Sequence, residues 1–151
     1  MTWIKKGNIF NTDSSMLWSK SHAQVPIVEK LNTNVLRIYY STRDLNNESS
    51  ISFFDVNIDN PSKIIYVHKE PIFSKGNIGT FDDSGVMPAY LLNENGIKYL
   101  YYIGWTTGKT VSYRNSIGLS ISKDNGKTFQ RYYDGPIIGT GMHLSLIHIW
   151  R

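Results

Sequence analysis

Residues recur in this chain at a fixed spacing. Val25-Pro26 is answered by Met87-Pro88, and Tyr39-Tyr40 by Tyr101-Tyr102, each 62 positions further on. Ser50-Ile51 is answered by Ser116-Ile117 at 66, with the extra residues falling in the loop around Thr106–Arg114. A period of this length marks a structural unit that cannot bury its apolar face alone and must stack on a copy of itself. Each unit holds four segments rich in Val, Ile, Tyr and Phe. They are Ala23–Lys30, Val35–Ser41, Ser50–Val56 and Ile64–His68, then Val86–Leu92, Ile97–Trp105, Ser116–Ser122 and Thr128–Tyr132. Turn-forming clusters separate them: Asn32-Thr33-Asn34, Asn46-Asn47, Asp59-Asn60-Pro61, Asn93-Glu94-Asn95-Gly96 and Asp124-Asn125-Gly126. The best helical window, Ser14–Lys20, is too short to count. The fold class is all-β.

Four strands per repeat is the signature of a β-propeller blade. Two four-stranded antiparallel blades are expected, at about 23–68 and 86–132, facing one another. Strands covered on both faces read as apolar runs, as Tyr99-Leu100-Tyr101-Tyr102-Ile103 does. Two hairpin pairs of a sandwich are the alternative. Propellers close with ~4–8 blades, and closure removes exposed sheet edges. A chain of 151 residues supplies two such blades and the start of a third. Residues 1–143 are therefore expected to be the N-terminal part of one propeller domain, or else several chains complete the ring. The segment Leu144-Ser-Leu-Ile-His-Ile-Trp-Arg151 departs from the pattern. It resembles the translation of a transposon end used in sequencing libraries, with Trp150 a stop codon read through. That resemblance implies a non-native tail; an ordinary last strand is the alternative.

Composition narrows the function. The net charge is +4, but Lys and Arg are scattered singly apart from Lys5-Lys6, so no basic stripe marks a nucleic-acid face. No apolar run approaches the ~20 residues of a membrane helix. No apolar stretch follows the N-terminal lysines as a secretory signal requires, so a cytoplasmic location is expected. The absence of cysteine removes disulfides, thiolate metal sites and cysteine nucleophiles together. The histidines lack zinc-ligand spacing, and there is no EF-hand order, P-loop or dinucleotide glycine motif. No metal and no cofactor is expected.

Ser122-Lys123-Asp124-Asn125-Gly126-Lys127-Thr128-Phe129 resembles the Asp-box of sialidases and other propellers. Its chemistry is that of a turn: Asp124 accepts backbone N–H groups, Gly126 takes a positive φ, and Phe129 packs beneath. Three longer segments, Leu36–Asp44, Gly79-Thr-Phe-Asp-Asp-Ser-Gly-Val-Met-Pro88 and Lys98–Trp105, resemble the five-bladed propeller glycosidases. That group comprises the family 32, 43 and 68 hydrolases and the family 130 phosphorylases. The similarity spans most of Gln24 to Ile138, and it implies a carbohydrate substrate.

In that group carboxylates at the start of each blade's first strand do the chemistry, since glycoside hydrolysis needs two carboxyl groups flanking the bond. The resemblance places the second-blade acid on Asp83 or on its neighbour Asp82. Adjacent residues of an extended chain point to opposite sides, so one is expected to face the site and the other to cap the turn, with Asp83 favoured. The reading that both merely shape the turn stands beside it. Shifting back by 62 puts Ser21-His22-Ala23-Gln24 where a first-blade Asp is expected, and no acid is there. An inverting phosphorylase needs only one protein acid, with phosphate held by basic groups. His22, Arg43 and Arg114 are candidates for that task or for sugar hydroxyls, with Gln24 and Trp105 as further sugar contacts. His22 reads equally as a loop residue, the two arginines as ties between loops, and Trp105 as packing. A glycoside hydrolase or phosphorylase leads. A non-catalytic glycan-binding or scaffold propeller is second, and a sialidase, resting on the Asp-box alone, is third.

Overall fold

The computed structural model describes residues 2, 4, 5 and 7–139, so the expected tail at 144–151 lies outside it. No helix occurs among the described residues. Eight strands follow in order: β1 (Ser21–Lys30), β2 (Val35–Arg43), β3 (Ser49–Asn57), β4 (Ile64–Val67), β5 (Gly85–Glu94), β6 (Ile97–Thr107), β7 (Tyr113–Ser122) and β8 (Gln130–Arg131). β1 to β4 form one antiparallel meander and β5 to β8 another. A single parallel pair, Ser49↔Gly85, joins them into one hydrogen-bonded sheet of eight strands. Gly85 sits there at φ 153°, and a Cβ on it would lie 2.2 Å from Ser49 Oγ, so the close approach requires glycine.

Tyr39 and Tyr101 lie on β2 and β6, the second strand of each meander. Asn95 (φ 52°) and Gly96 (φ 78°) close the two-residue turn between β5 and β6, the conformation that such hairpins demand. The loop after β6 is shorter than the sequence suggests, because β6 runs on to Thr107 and β7 begins at Tyr113. β8 is shorter at its start. Thr128 is held in the preceding turn, its N–H donating to Asp124 Oδ1 at 3.0 Å instead of to a strand.

The core lies between the two meanders. Tyr39, Ile51 and Phe53 of the first meet Val86, Leu100, Tyr102 and Phe129 of the second, with Ile72 and Phe73 of the connecting segment between them. Phe73 packs edge-on against Tyr102 at 4.7 Å between ring centroids. The opposite face of the first meander, with Ile38, Tyr40, Phe54 and Val56, is covered by Ile9 and Phe10. Phe10 stacks on Phe54 at 4.1 Å. Burial raises the Tyr40 hydroxyl to about 12.

Candidate functional site

Strand direction sorts the molecule into two ends. The starts of β1, β3, β5 and β7 and the ends of β2 and β6 share one end, because Ser21 pairs with Arg43, Gly85 with Trp105 and Thr107 with Tyr113. The tight turns occupy the other. All seven residues singled out in the sequence, His22, Gln24, Arg43, Asp82, Asp83, Trp105 and Arg114, belong to the first end.

The two adjacent acids diverge there. Asp82 is fully buried and accepts hydrogen bonds from Tyr102 Oη at 3.1 Å, Arg131 Nε at 2.9 Å and Thr80 Oγ1 at 2.8 Å. Burial, and then the Asp82 charge, push the Tyr102 hydroxyl up from its ordinary value. Asp83 lies nearer the surface, accepting from Gly79 N–H at 3.0 Å and Ser84 Oγ at 3.1 Å. A hydrogen bond from Thr106 is the main cause of its lowered pKa, with partial burial opposing it. Asp83 is thus held as a carboxylate, which suits it to face positive charge rather than to donate a proton. No ion pair joins it to Arg43 or Arg114 among the described residues.

The inner strands are irregular at this end. β1 shifts register between Ser21 and Gln24 and again before Ile27, and β5 shifts between Pro88 and Tyr90. Pro26 and Pro88 hold repeat-equivalent positions beside these shifts, where the missing N–H leaves no ladder bond to lose. His22 (φ 64°) and Val25 (φ 51°) carry positive φ. For a β-branched residue that is strained backbone, of the kind that collects at functional sites. Among the described residues the His22 side chain bonds only to its neighbour, Nδ1 lying 2.7 Å from Ser21 Oγ.

Arg43 and Trp105, equivalent in the repeat, meet across the interface. The guanidinium lies 5.2 Å from the indole centroid, and Trp105 Nε1 donates to Ser49 Oγ at 2.7 Å. Together with Met87, Ser112, Tyr113 and Asn115 they line a pocket of about 340 Å³, the size range of small-ligand sites. Gln24 reaches the same place, Nε2 lying 3.7 Å from Met87 Sδ. Arg114 pairs in register with Thr106 and is exposed outside this pocket. Sequence reasoning missed Tyr113 and Asn115, although the 66-residue spacing places Asn115 on the counterpart of Ser49. No group of three His, Asp or Glu side chains comes together as a metal site among the described residues.

No protein-family profile matches the chain. Two uncharacterized proteins of Mycobacterium tuberculosis, from strains CDC 1551 and H37Rv, are each 38% identical to it over 138 residues. The match covers 91% of this chain and 46% of each of theirs, so the chain spans about half the length of the curated relatives it matches. Among solved structures, a family 117 glycoside hydrolase of Zobellia galactanivorans superposes with a TM-score of 0.58 at 16% identity, over 82% of this chain and 36% of that one. A glycosyl hydrolase of Bacteroides ovatus gives 0.56 at 15% identity, over 79% and 32%. A structure from the family 130 mannoside phosphorylases, described as containing hydrolases of β-1,2-mannosidic linkages in Candida mannan, gives 0.50 at 12%, over 85% and 39%. These neighbours are propeller folds, and at 12–16% identity the likeness is one of fold.

Proposed function

We propose that the chain is part of a glycoside hydrolase or glycoside phosphorylase whose site lies at the open end of the interface between the meanders. The observation that carries this reading is Asp83, an ionised carboxylate immediately before the inner strand β5, in a fold similar to glycoside hydrolases. Its role is to steady positive charge at the anomeric carbon while other groups transfer the proton and attack. A panel of oligosaccharides, with and without inorganic phosphate, tests it by release of reducing ends or sugar phosphate. Asp83→Asn should lower turnover by orders of magnitude and leave the melting temperature nearly unchanged; full activity in that variant overturns the role.

The second reading, a glycan-binding propeller without catalysis, draws on the start of β1. No acid stands at Ser21–Gln24, so the first meander contributes no carboxylate there. Glycan binding without bond cleavage in the same panel would favour it.

The repeat further supports a third meander packed on β6 and β7. Ile51 exchanges backbone hydrogen bonds with Ile72 and Phe73 (Ile51 N–H to Phe73 O 2.8 Å, Ile72 N–H to Ile51 O 2.9 Å). Ile117 does the same with Ile137 and Ile138, both at 2.8 Å. The first pair is buried in the core, whereas Ile137 and Ile138 are 38% and 47% exposed. A further four-stranded unit would cover them as the second unit covers the first.

A further inference from the structure

The chain holds two Asn-Gly pairs, Asn95-Gly96 and Asn125-Gly126. Each closes a turn at the turn end of the molecule, and the backbone is nearly the same in both. Asn95 and Asn125 lie at φ 52° and 62°, Gly96 and Gly126 at 78° and 80°. Asn-Gly is favoured there because both positions need positive φ. The surroundings differ. Asn95 and Gly96 are exposed, and nothing lies within 4 Å of a Cβ built on Gly96. The Gly96 N–H has no partner among the described residues. Gly126 is buried, and a Cβ on it would lie 2.5 Å from Tyr39 Oη. Its N–H donates to Ser122 Oγ at 2.9 Å, and the Asn125 carbonyl accepts from Arg37 Nη1 at 3.3 Å.

We propose that Asn95 is a site of spontaneous deamidation through a succinimide, and that the Ser122 hydroxyl spares Asn125 the same reaction. The Gly96 nitrogen attacks the side-chain carbonyl carbon of Asn95. That C–N bond forms, the bond to the amide nitrogen breaks, and ammonia leaves with the proton of the former N–H. Water then opens the ring at either carbonyl, giving aspartate or isoaspartate, and nothing is oxidised or reduced. The attack needs the Asn side chain to swing onto the following nitrogen, so the turn must open. An exposed hairpin tip opens locally at little cost. At Gly126 the same swing must break the bond to Ser122 and lift the turn from beside Tyr39. The near-equal φ values leave burial and hydrogen bonding as the difference between the two pairs. Both products set a new carboxylate beside Glu94. Isoaspartate also adds one carbon to the main chain of the two-residue turn that sets β5 against β6.

Peptide mapping by mass spectrometry tests this on the chain aged in mildly alkaline buffer, with a parallel sample unfolded in guanidinium chloride. In the folded protein Asn95 should convert about tenfold or more faster than Asn125, the margin of one hydrogen bond lost from a buried group. In denaturant the two rates should converge, because the following residue is glycine in both pairs. Ser122→Ala frees the Gly126 nitrogen and should speed conversion of Asn125 in the folded protein, with Asn95 unchanged. Conversion of Asn95 in denaturant alone overturns the site. Equal rates in the folded protein, or a faster Asn125, overturn the protection. A Ser122→Ala chain that melts as the parent does and keeps Asn125 slow overturns the part given to the hydroxyl. Should that variant fail to fold, the folded and unfolded rates of the parent chain still decide both points.

Discussion

Both ends of the interface between the meanders pair a buried charge, Glu29 with Lys98 at the turn end and Asp82 with Arg131 at the open end, but the open end also leaves buried side-chain atoms unpaired among the described residues. At the turn end, buried charge is paired. Lys98, with a side chain 2% exposed, donates to both oxygens of Glu29 at 2.7 and 2.6 Å, and Tyr39 Oη donates to Glu29 at 2.9 Å. Arg37 holds Asp55 and also reaches the Asn125 carbonyl at 3.3 Å, tying the second meander's turn to the first meander. Asp124 closes that turn, accepting from the N–H groups of Lys127 and Thr128 and from the hydroxyls of Ser122 and Thr128. At the open end lie the two buried unpaired side-chain atoms among the described residues, Arg43 Nε and Asn115 Oδ1, on residues that line one pocket. Full pairing in a low-dielectric interior fixes geometry, whereas unpaired buried groups store a cost that a ligand or a further unit can relieve. The turn end ties the meanders together through fully paired groups, whereas the open end leaves two buried polar atoms unpaired.

The contrast breaks most directly at Lys98. Lys98→Ala leaves Glu29 buried without its cation, and breaking a buried pair in this way costs about 3–5 kcal/mol. Urea unfolding should show that loss, while Lys98→Met combined with Glu29→Gln should recover much of it. A change below about 1 kcal/mol in the single variant would mean that the turn end is not the lock. A smaller effect is expected at the open end. Trp105→Phe keeps most of the packing but loses the hydrogen bond to Ser49, a change of about 1 kcal/mol. If it matches Lys98→Ala, the two ends are equally structural.

The smallest effect concerns pH. Burial pushes the Asp124 carboxyl up, but hydrogen bonds from Ser122 and Thr128 and the backbone of Thr128 and Lys127 together hold it down at about 2. A folded pKa below the ordinary value of 3.8 means stability that is complete above pH ~4 and lost as pH falls through 2. Asp124→Asn should flatten that part of the acid-unfolding curve. An unchanged curve would show that the turn draws nothing from the charge.

Legibility in the sequence followed the range of the interaction. Each of the eight strands was readable because apolar runs and Asn, Asp, Gly and Pro punctuation are local signals, and the fixed offset supplied the pairing of one unit with the next. The turn at Ser122–Phe129 was readable for the same reason, since its hydrogen bonds close within four residues. Candidate site residues were readable only as positions at the starts and ends of strands. Sequence set Asp82 beside Asp83, but burial between the two meanders decided that Asp82 is locked by Tyr102 and Arg131, residues 20 and 49 positions away. The same holds for the pocket. Trp105 and Asn115 are register partners on β6 and β7, but Arg43 of β2 joins them only because the two meanders pack together, a long-range arrangement that no local pattern encodes. Sequence by itself determined the all-β repeat and its turns, whose physics is local. Only the tertiary structure decided which charges are filled and which are left open, because pairing depends on distances between chain-distant groups.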